Sequence, residues 1–182
     1  MKTIPVKELM VPLKAYATVS RKATLREAVL ALEKAQLTLE PTRHKHRAIL
    51  VLDEDGQVVS KMTMKDILVA IEPNYGRVEG TDVLERSGYS PDMIRDMLDD
   101  NALWMEPLQF ICERAAGLKL SSFTRAPSAD EYIDENATLA EAAHQLVIYP
   151  FLSLLVTRGD RVVGILRLSD LFSKICEIMK NC

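Results

Sequence analysis

Two pairs of residues in this chain have types and spacing suited to holding a polar ligand. Thr63 and Asp66 stand three apart, and Arg167 and Asp170 repeat that spacing about a hundred residues later. An ionised carboxylate accepts two hydrogen bonds from a diol, and a neighbouring hydroxyl donates or accepts a third. The same Thr-x-x-Asp spacing also suits a helix start, with the threonine as cap and the aspartate favoured by the helix dipole. A helix N-terminus accommodates both uses. In the second copy Arg167 stands where the first has Thr63; arginine has no acceptor for a cap, so Ser169 is expected to cap that helix. Arg167 is left to meet an anion, to pair with Asp170, or to lie on the surface at a strand end. The one dense basic run is Arg43-His44-Lys45-His46-Arg47, an anion-facing or a solvated loop. Two histidines spaced as His44-x-His46 lack the carboxylate or cysteine support of a metal site, and no metal is expected. No nucleophile elbow, zinc-protease, Walker or dinucleotide fingerprint occurs, so catalysis is not expected.

The elements that must position these residues come twice. Ala23-Thr24-Leu25-Arg26-Glu27-Ala28 returns as Ala137-Thr138-Leu139-Ala140-Glu141-Ala142. In each copy Thr and Glu three apart form a capping box, and apolar residues then follow at helical spacing. Downstream, Val58–Leu68 matches Val162–Phe172, with Ser60 opposite Gly164. In the first copy Tyr16–Val19 is a short extended piece. Arg47–Leu52 and Gln57–Met62 form a hairpin around Asp53-Glu54-Asp55-Gly56, and Met64–Ile71 is a helix. In the second, Tyr132-Ile133 is the short strand and a helix runs to about Val147. Phe151–Val156 and Arg161–Arg167 form the hairpin, and the last helix runs from about Asp170 to Met179. Each unit therefore reads β-α-β-β-α. A repeated unit that cannot bury its apolar face alone packs against its copy, and clefts between such copies suit small ligands. Ser60 is expected to narrow the approach of a ligand that Gly164 leaves open.

The division is residues 1–72 for the first repeat, 73–120 for an insert and 121–182 for the second repeat. The insert reads as two or three helices: a weak one over Thr81–Arg86, one started by Ser90-Pro91, and apolar positions from Met93 to Cys112 broken near Pro107. Cys112 is expected in the core, and His144 to pack on the first helix of the second unit.

The chain has 182 residues, 48% apolar and 27% charged, with a formal net charge of -3. That is enough to bury a real core, and the acidic balance speaks against nucleic acid and membrane surfaces. The longest apolar stretch, Leu146–Val156, is too short to span a bilayer and contains Pro150. No apolar signal segment stands at the start, and the three cysteines are odd in number without a CxxC pair. The expected compartment is the cytoplasm, with reduced thiols.

The repeated order, Thr-Leu-x-Glu-Ala at each first helix, the Asp-x-Asp-Gly turn and Gly-Ile-Leu-x-x-Ser-Asp-Leu in the second unit resemble a tandem pair of cystathionine-β-synthase (CBS) domains, a Bateman module. The resemblance covers roughly residues 6 to 71 and 121 to 180. It implies an α/β (α+β) fold of two pseudo-twofold-related repeats packed together, commonly dimeric, with the helical insert as an addition. It also implies adenosine compounds as ligands: AMP, ADP, ATP or S-adenosylmethionine. On that pattern Thr63, Asp66 and Asp170 would bind ribose, and the adenine would lie near Ala17, Thr18 and Val19 or near Tyr132 and Ile133. His46, Arg47 and Arg167 would face phosphates. The expected role is a sensor that signals to an unknown effector protein through a change in repeat packing. The rival is a homodimeric scaffold with a degenerate cleft, which the Arg167 departure and the insert favour.

Overall fold

The computed structural model describes residues 3–37, 45–72, 74–75 and 90–180. In the first repeat, strand β2 (Thr18–Ser20) leads to helix α1 (Leu25–Leu37), strands β3 (Ala48–Leu52) and β4 (Val58–Thr63), and helix α2 (Met64–Ile71). The insert contributes α3 (Pro91–Asp100) and α4 (Leu108–Ala116). The second repeat runs β5 (Tyr132–Asp134), α5 (Leu139–Ile148), β6 (Ser153–Arg158), β7 (Arg161–Arg167) and α6 (Leu168–Lys180). A two-residue strand, β1 (Val11–Pro12), precedes them all.

The first repeat's sheet has the order β2-β3-β4. In it β2 lies parallel to β3, and β3 antiparallel to β4. The second repeat's sheet has the same pairings among β5, β6 and β7, with β1 added antiparallel to β7. Both capping boxes expected before α1 and α5 are formed. The Thr24 N–H donates to Glu27 Oε2 at 2.6 Å and the Thr138 N–H to Glu141 Oε2 at 2.7 Å. Both tight hairpins turn on a glycine with positive φ, Gly56 and Gly159, a backbone that costs glycine little.

The leading segments are exchanged between repeats. Residues 4–6, which the sequence divides with the first repeat, pack in the second: the Val6 N–H donates to Ala137 O, and the Leu139 N–H to Ile4 O. Residues 118–120 do the reverse, with the Leu120 N–H on Ala23 O and the Leu25 N–H on Leu118 O. Val6 is thus buried in the core of the second repeat, and Leu120 in that of the first. Each crossing supplies an acceptor to the first turn of a helix, where backbone N–H groups lack intrahelical partners. β1 continues the N-terminal crossing. It lies so close over β7 that a Cβ on Gly164 would stand 2.6 Å from Val11 O. Gly164 therefore makes room for this strand, not for a ligand as its contrast with Ser60 suggested.

Ser90 caps α3 through Met93 N–H, with Pro91 in the first turn, and Pro107 immediately precedes α4. Within α4, Ile111 and Ala115 are buried, while Cys112 is exposed and not in the core. A one-residue step on a helix turns a side chain by about a hundred degrees, which separates Cys112 from Ile111. The Glu72 carboxylate ties the insert to the end of α2 by accepting the Trp104 N–H at 2.9 Å and the Asn74 N–H at 3.1 Å. The weak helix over Thr81–Arg86, the basic residues Arg43 and His44, and Cys182 lie outside the described residues.

Candidate functional site at the seam of the repeats

Thr63 ends β4 and caps α2. Its hydroxyl donates to Asp66 Oδ2 at 2.7 Å, its N–H donates to the same oxygen at 2.7 Å, and the Asp66 N–H returns to Thr63 Oγ1 at 3.2 Å. The pair is a capping box at a half-buried helix start, which fixes the carboxylate at the mouth of the helix.

The corresponding place in the second repeat is built differently. Arg167 closes β7 and turns its guanidinium onto Asp170, so a side-chain fork replaces the hydroxyl cap. Helix α6 begins at Leu168, which puts Ser169 inside the first turn instead of at the cap expected for it. Both members of the pair are largely buried.

Two rings of the first repeat lie within reach of their charges. Tyr16 and His46 stack with ring centroids 4.0 Å apart and planes inclined by 10°, and both feel the charges of Arg167 and Asp170. The Ala17 N–H donates to His46 Nδ1 at 3.2 Å. An accepting Nδ1 puts the ring proton on Nε2, which is buried without a hydrogen-bond partner among the described residues. Burial first, and the Arg167 charge second, push the imidazole down to about 4, against a smaller opposing effect of Asp170. Burial likewise raises the Tyr16 phenol to about 12. His46 is 1% exposed, so it meets this seam as a neutral ring and not as a cation for phosphate. Arg47 beside it is exposed.

The other predicted positions are spread more widely. Ala17 is buried and Thr18 and Val19 are half-buried along β2. Ile133 belongs to the second core. Tyr132 packs against the first core and lines an open cleft of about 410 Å³ together with Gln57, Val58 and Asp160. That cleft lies where the two hairpins begin and turn, and its lining includes neither Asp66 nor Asp170. The Thr63–Asp66 and Arg167–Asp170 pairs stand outside this cleft, at the helix starts.

Two residues here, Tyr16 and Lys61, were not singled out in the sequence. Tyr16 covers His46. Lys61, two residues before Thr63, forms an ion pair with Glu131 at 2.7 Å across the seam, and its Nζ donates to Ser153 O at 2.9 Å. The signal for Lys61 was its alignment with Ile165 between the two copies. Among the described residues, no group of three His, Cys, Asp or Glu converges to hold a metal ion, and no helix is long and apolar enough to cross a membrane.

The CBS domain description matches residues 6–73 and 126–177, most of both repeats. The chain belongs to the CBS-domain family. Solved CBS pairs share its fold. CBSX2 of Arabidopsis thaliana in complex with AMP is 16% identical, with a TM-score of 0.60 over 97% of this chain and 98% of that one. The CBS domain of a membrane protein from Sphaerobacter thermophilus is 18% identical, with a TM-score of 0.59 over 95% and 88%. The CBS domain of a bacterial CNNM/CorC Mg2+ transporter in complex with ATP is 16% identical, with a TM-score of 0.58 over 96% and 89%. No curated protein matches in sequence. This CBS pair has two unlike poles at corresponding helix starts: a hydroxyl–carboxylate pole at Thr63 and Asp66, and a closed arginine–carboxylate pole at Arg167 and Asp170.

Proposed function

We propose that this CBS pair is a regulatory module that binds an adenine nucleotide between its repeats and passes the binding on to a separate effector protein. The observation that carries the reading is the Thr63–Asp66 pair, whose carboxylate is held at a helix start two residues beyond Lys61, which pairs with Glu131 of the second repeat. Asp66 and Thr63 contact the ribose hydroxyls. Asp170, engaged by Arg167 through both oxygens, serves as a ribose acceptor only if Arg167 turns away. AMP and ATP bound to proteins of the same fold support a nucleotide of this class; S-adenosylmethionine is the other adenosine ligand to test. Ligand-linked change follows from unequal affinity for two arrangements of the repeats, and the crossed segments at residues 4–6 and 118–120 couple the repeats mechanically.

The module acts as a homodimer in the cytoplasm. Exposed apolar residues on α2 (Met64, Leu68) and on α6 (Leu168, Phe172, Met179) support self-association. A second reading, a dimeric scaffold without a physiological ligand, is favoured by the closed Arg167–Asp170 pole.

Calorimetric titration of nucleotide-stripped protein with AMP, ADP, ATP and S-adenosylmethionine decides between them. The sensor reading expects saturable binding of one ligand, lost in Asp66→Ala and kept in Asp170→Ala. Absence of heat and of thermal shift with all four leaves the scaffold.

A further inference from the structure

A buried charge pair has entered one half of a pseudo-symmetric seam. Lys61 faces Leu50 across β3 and β4, as Ile165 faces Leu155 across β6 and β7. Thr18 pairs with Leu50 and Tyr132 with Leu155, so the residues just before those strands, Ala17 and Glu131, also correspond. One half of the seam therefore holds isoleucine and alanine where the other holds lysine and glutamate. The Lys61 and Glu131 side chains are only 5% and 10% exposed.

Their surroundings are specific. Glu131 Oε1 accepts the Ser128 N–H at 3.1 Å, while Oε2 faces the Lys61 ammonium. Lys61 Nζ lies 5.4 Å over the Phe151 ring centroid. Side chains two apart on a strand share a face, so Lys61 lies on the Thr63 side of β4. Replacing a buried ion pair by apolar residues is often neutral or stabilising, and the Ile165 half shows that this architecture accommodates the apolar solution. Stability alone is therefore a poor reason for a cation at this point.

The geometry points to Lys61 as the residue that selects phosphorylated nucleosides at the Thr63–Asp66 pole, with Glu131 as an internal carboxylate that holds its charge until a phosphate displaces it. This rests on the nucleotide reading above and deepens it. The exchange is an ion-pair swap: the ammonium leaves a carboxylate and takes a phosphate oxygen, and Glu131 is released. Because Lys61 belongs to β4 and Glu131 immediately precedes β5, the swap also breaks a tie between the repeats. A phosphate would thus be read as a loosening of the seam.

The test is titration of the full chain with AMP and with adenosine. Wild type is expected to prefer AMP by about tenfold, the scale of one charge-assisted contact. Lys61→Met should bind adenosine as wild type does and lose the preference, and Lys61→Arg should keep it. Glu131→Gln should bind AMP about tenfold more tightly with adenosine unchanged, because the competing carboxylate charge is gone. The double variant, Lys61→Met with Glu131→Gln, leaves no unpaired buried charge, and repeats the Lys61→Met comparison if the single variant misfolds. An unchanged AMP-to-adenosine ratio without Lys61 overturns the selection, and unchanged AMP affinity in Glu131→Gln overturns the displacement, in both cases with the nucleotide reading intact. Wild type that binds neither compound overturns both readings.

Discussion

Arg167 grips Asp170 with a two-pronged hydrogen bond, Nε and Nη2 each donating to a different carboxylate oxygen, the Nη2 bond being 2.7 Å long. The corresponding Thr63 leaves its aspartate bonded through a single oxygen to hydroxyl and backbone. The same three-residue spacing thus yields a self-satisfied ion pair in one repeat and a helix cap in the other. The pair is 9% and 13% exposed, so removing one partner takes the fork away from a charge that stays buried. Asp170→Ala is expected to cost about 3 kcal/mol in urea unfolding, and Arg167→Met with Asp170→Leu to recover most of it. Recovery of none would mean that the fork is not the origin of the loss.

Opening that pole should add a site. Arg167→Thr recreates the Thr-x-x-Asp pattern of the first repeat, in which the cap occupies one carboxylate oxygen and leaves the other open. If the first pole binds nucleotide, calorimetric stoichiometry is expected to rise from one to two per chain. An unchanged stoichiometry would show that more than the arginine closes the second pole.

The crossed segment at Leu120 is expected to hold the first repeat together. Leu120 is completely buried in the first core although it precedes the second repeat in sequence. Leu120→Ala should cost about 3 kcal/mol, within the range for buried leucine truncations. Amide exchange should then report the loss first at the start of α1, whose Leu25 N–H bonds to Leu118 O.

Gly164 offers a local probe of β1. Its Cβ would meet the Val11 carbonyl at 2.6 Å and Met10 Sδ at 2.9 Å, and the nearer atom is backbone. Gly164→Ala is expected to destabilise by about 1–3 kcal/mol and to raise exchange at residues 10–12. Ser60→Gly at the matched position should leave that segment unaffected.

His46 predicts an acid-side loss with a defined window. Its folded value of about 4 lies below the usual 6.5, so between these limits the unfolded chain binds the extra proton and stability falls as pH falls. The loss should begin near pH 6.5 and reach up to about 3 kcal/mol near pH 4. Glu27, Glu135 and Glu141, whose values are lowered from 4.5 by their bonds to Thr24, Arg158 and Thr138, begin to lose their contributions as pH falls through about 4.5. His46→Asn, whose side-chain oxygen can still accept the Ala17 N–H, should flatten unfolding free energy between pH 6.5 and 4.5. A slope unchanged by the substitution would assign it elsewhere.

By itself the sequence determined the repeat, its order of elements and most element positions, because these follow from short-range chemistry. Capping boxes act over three residues, hairpin turns over four, and helical or strand periodicity over a few more. The Thr63–Asp66 cap and both Thr–Glu boxes were legible for that reason. Ser169 misled because it is a good cap residue in isolation, whereas Arg167 could satisfy Asp170 only once β7 and α6 had been set at their angle. Which repeat a segment serves was decided by tertiary structure alone. Val6 and Leu120 have the same apolar signature whichever core they enter, and only packing two incomplete cores together sends each across. The Lys61–Glu131 pair is of the same kind. The mismatch of Lys61 with Ile165 can be read from the two copies, but the partner 70 residues away that makes a buried lysine tolerable comes within reach only when the seam closes.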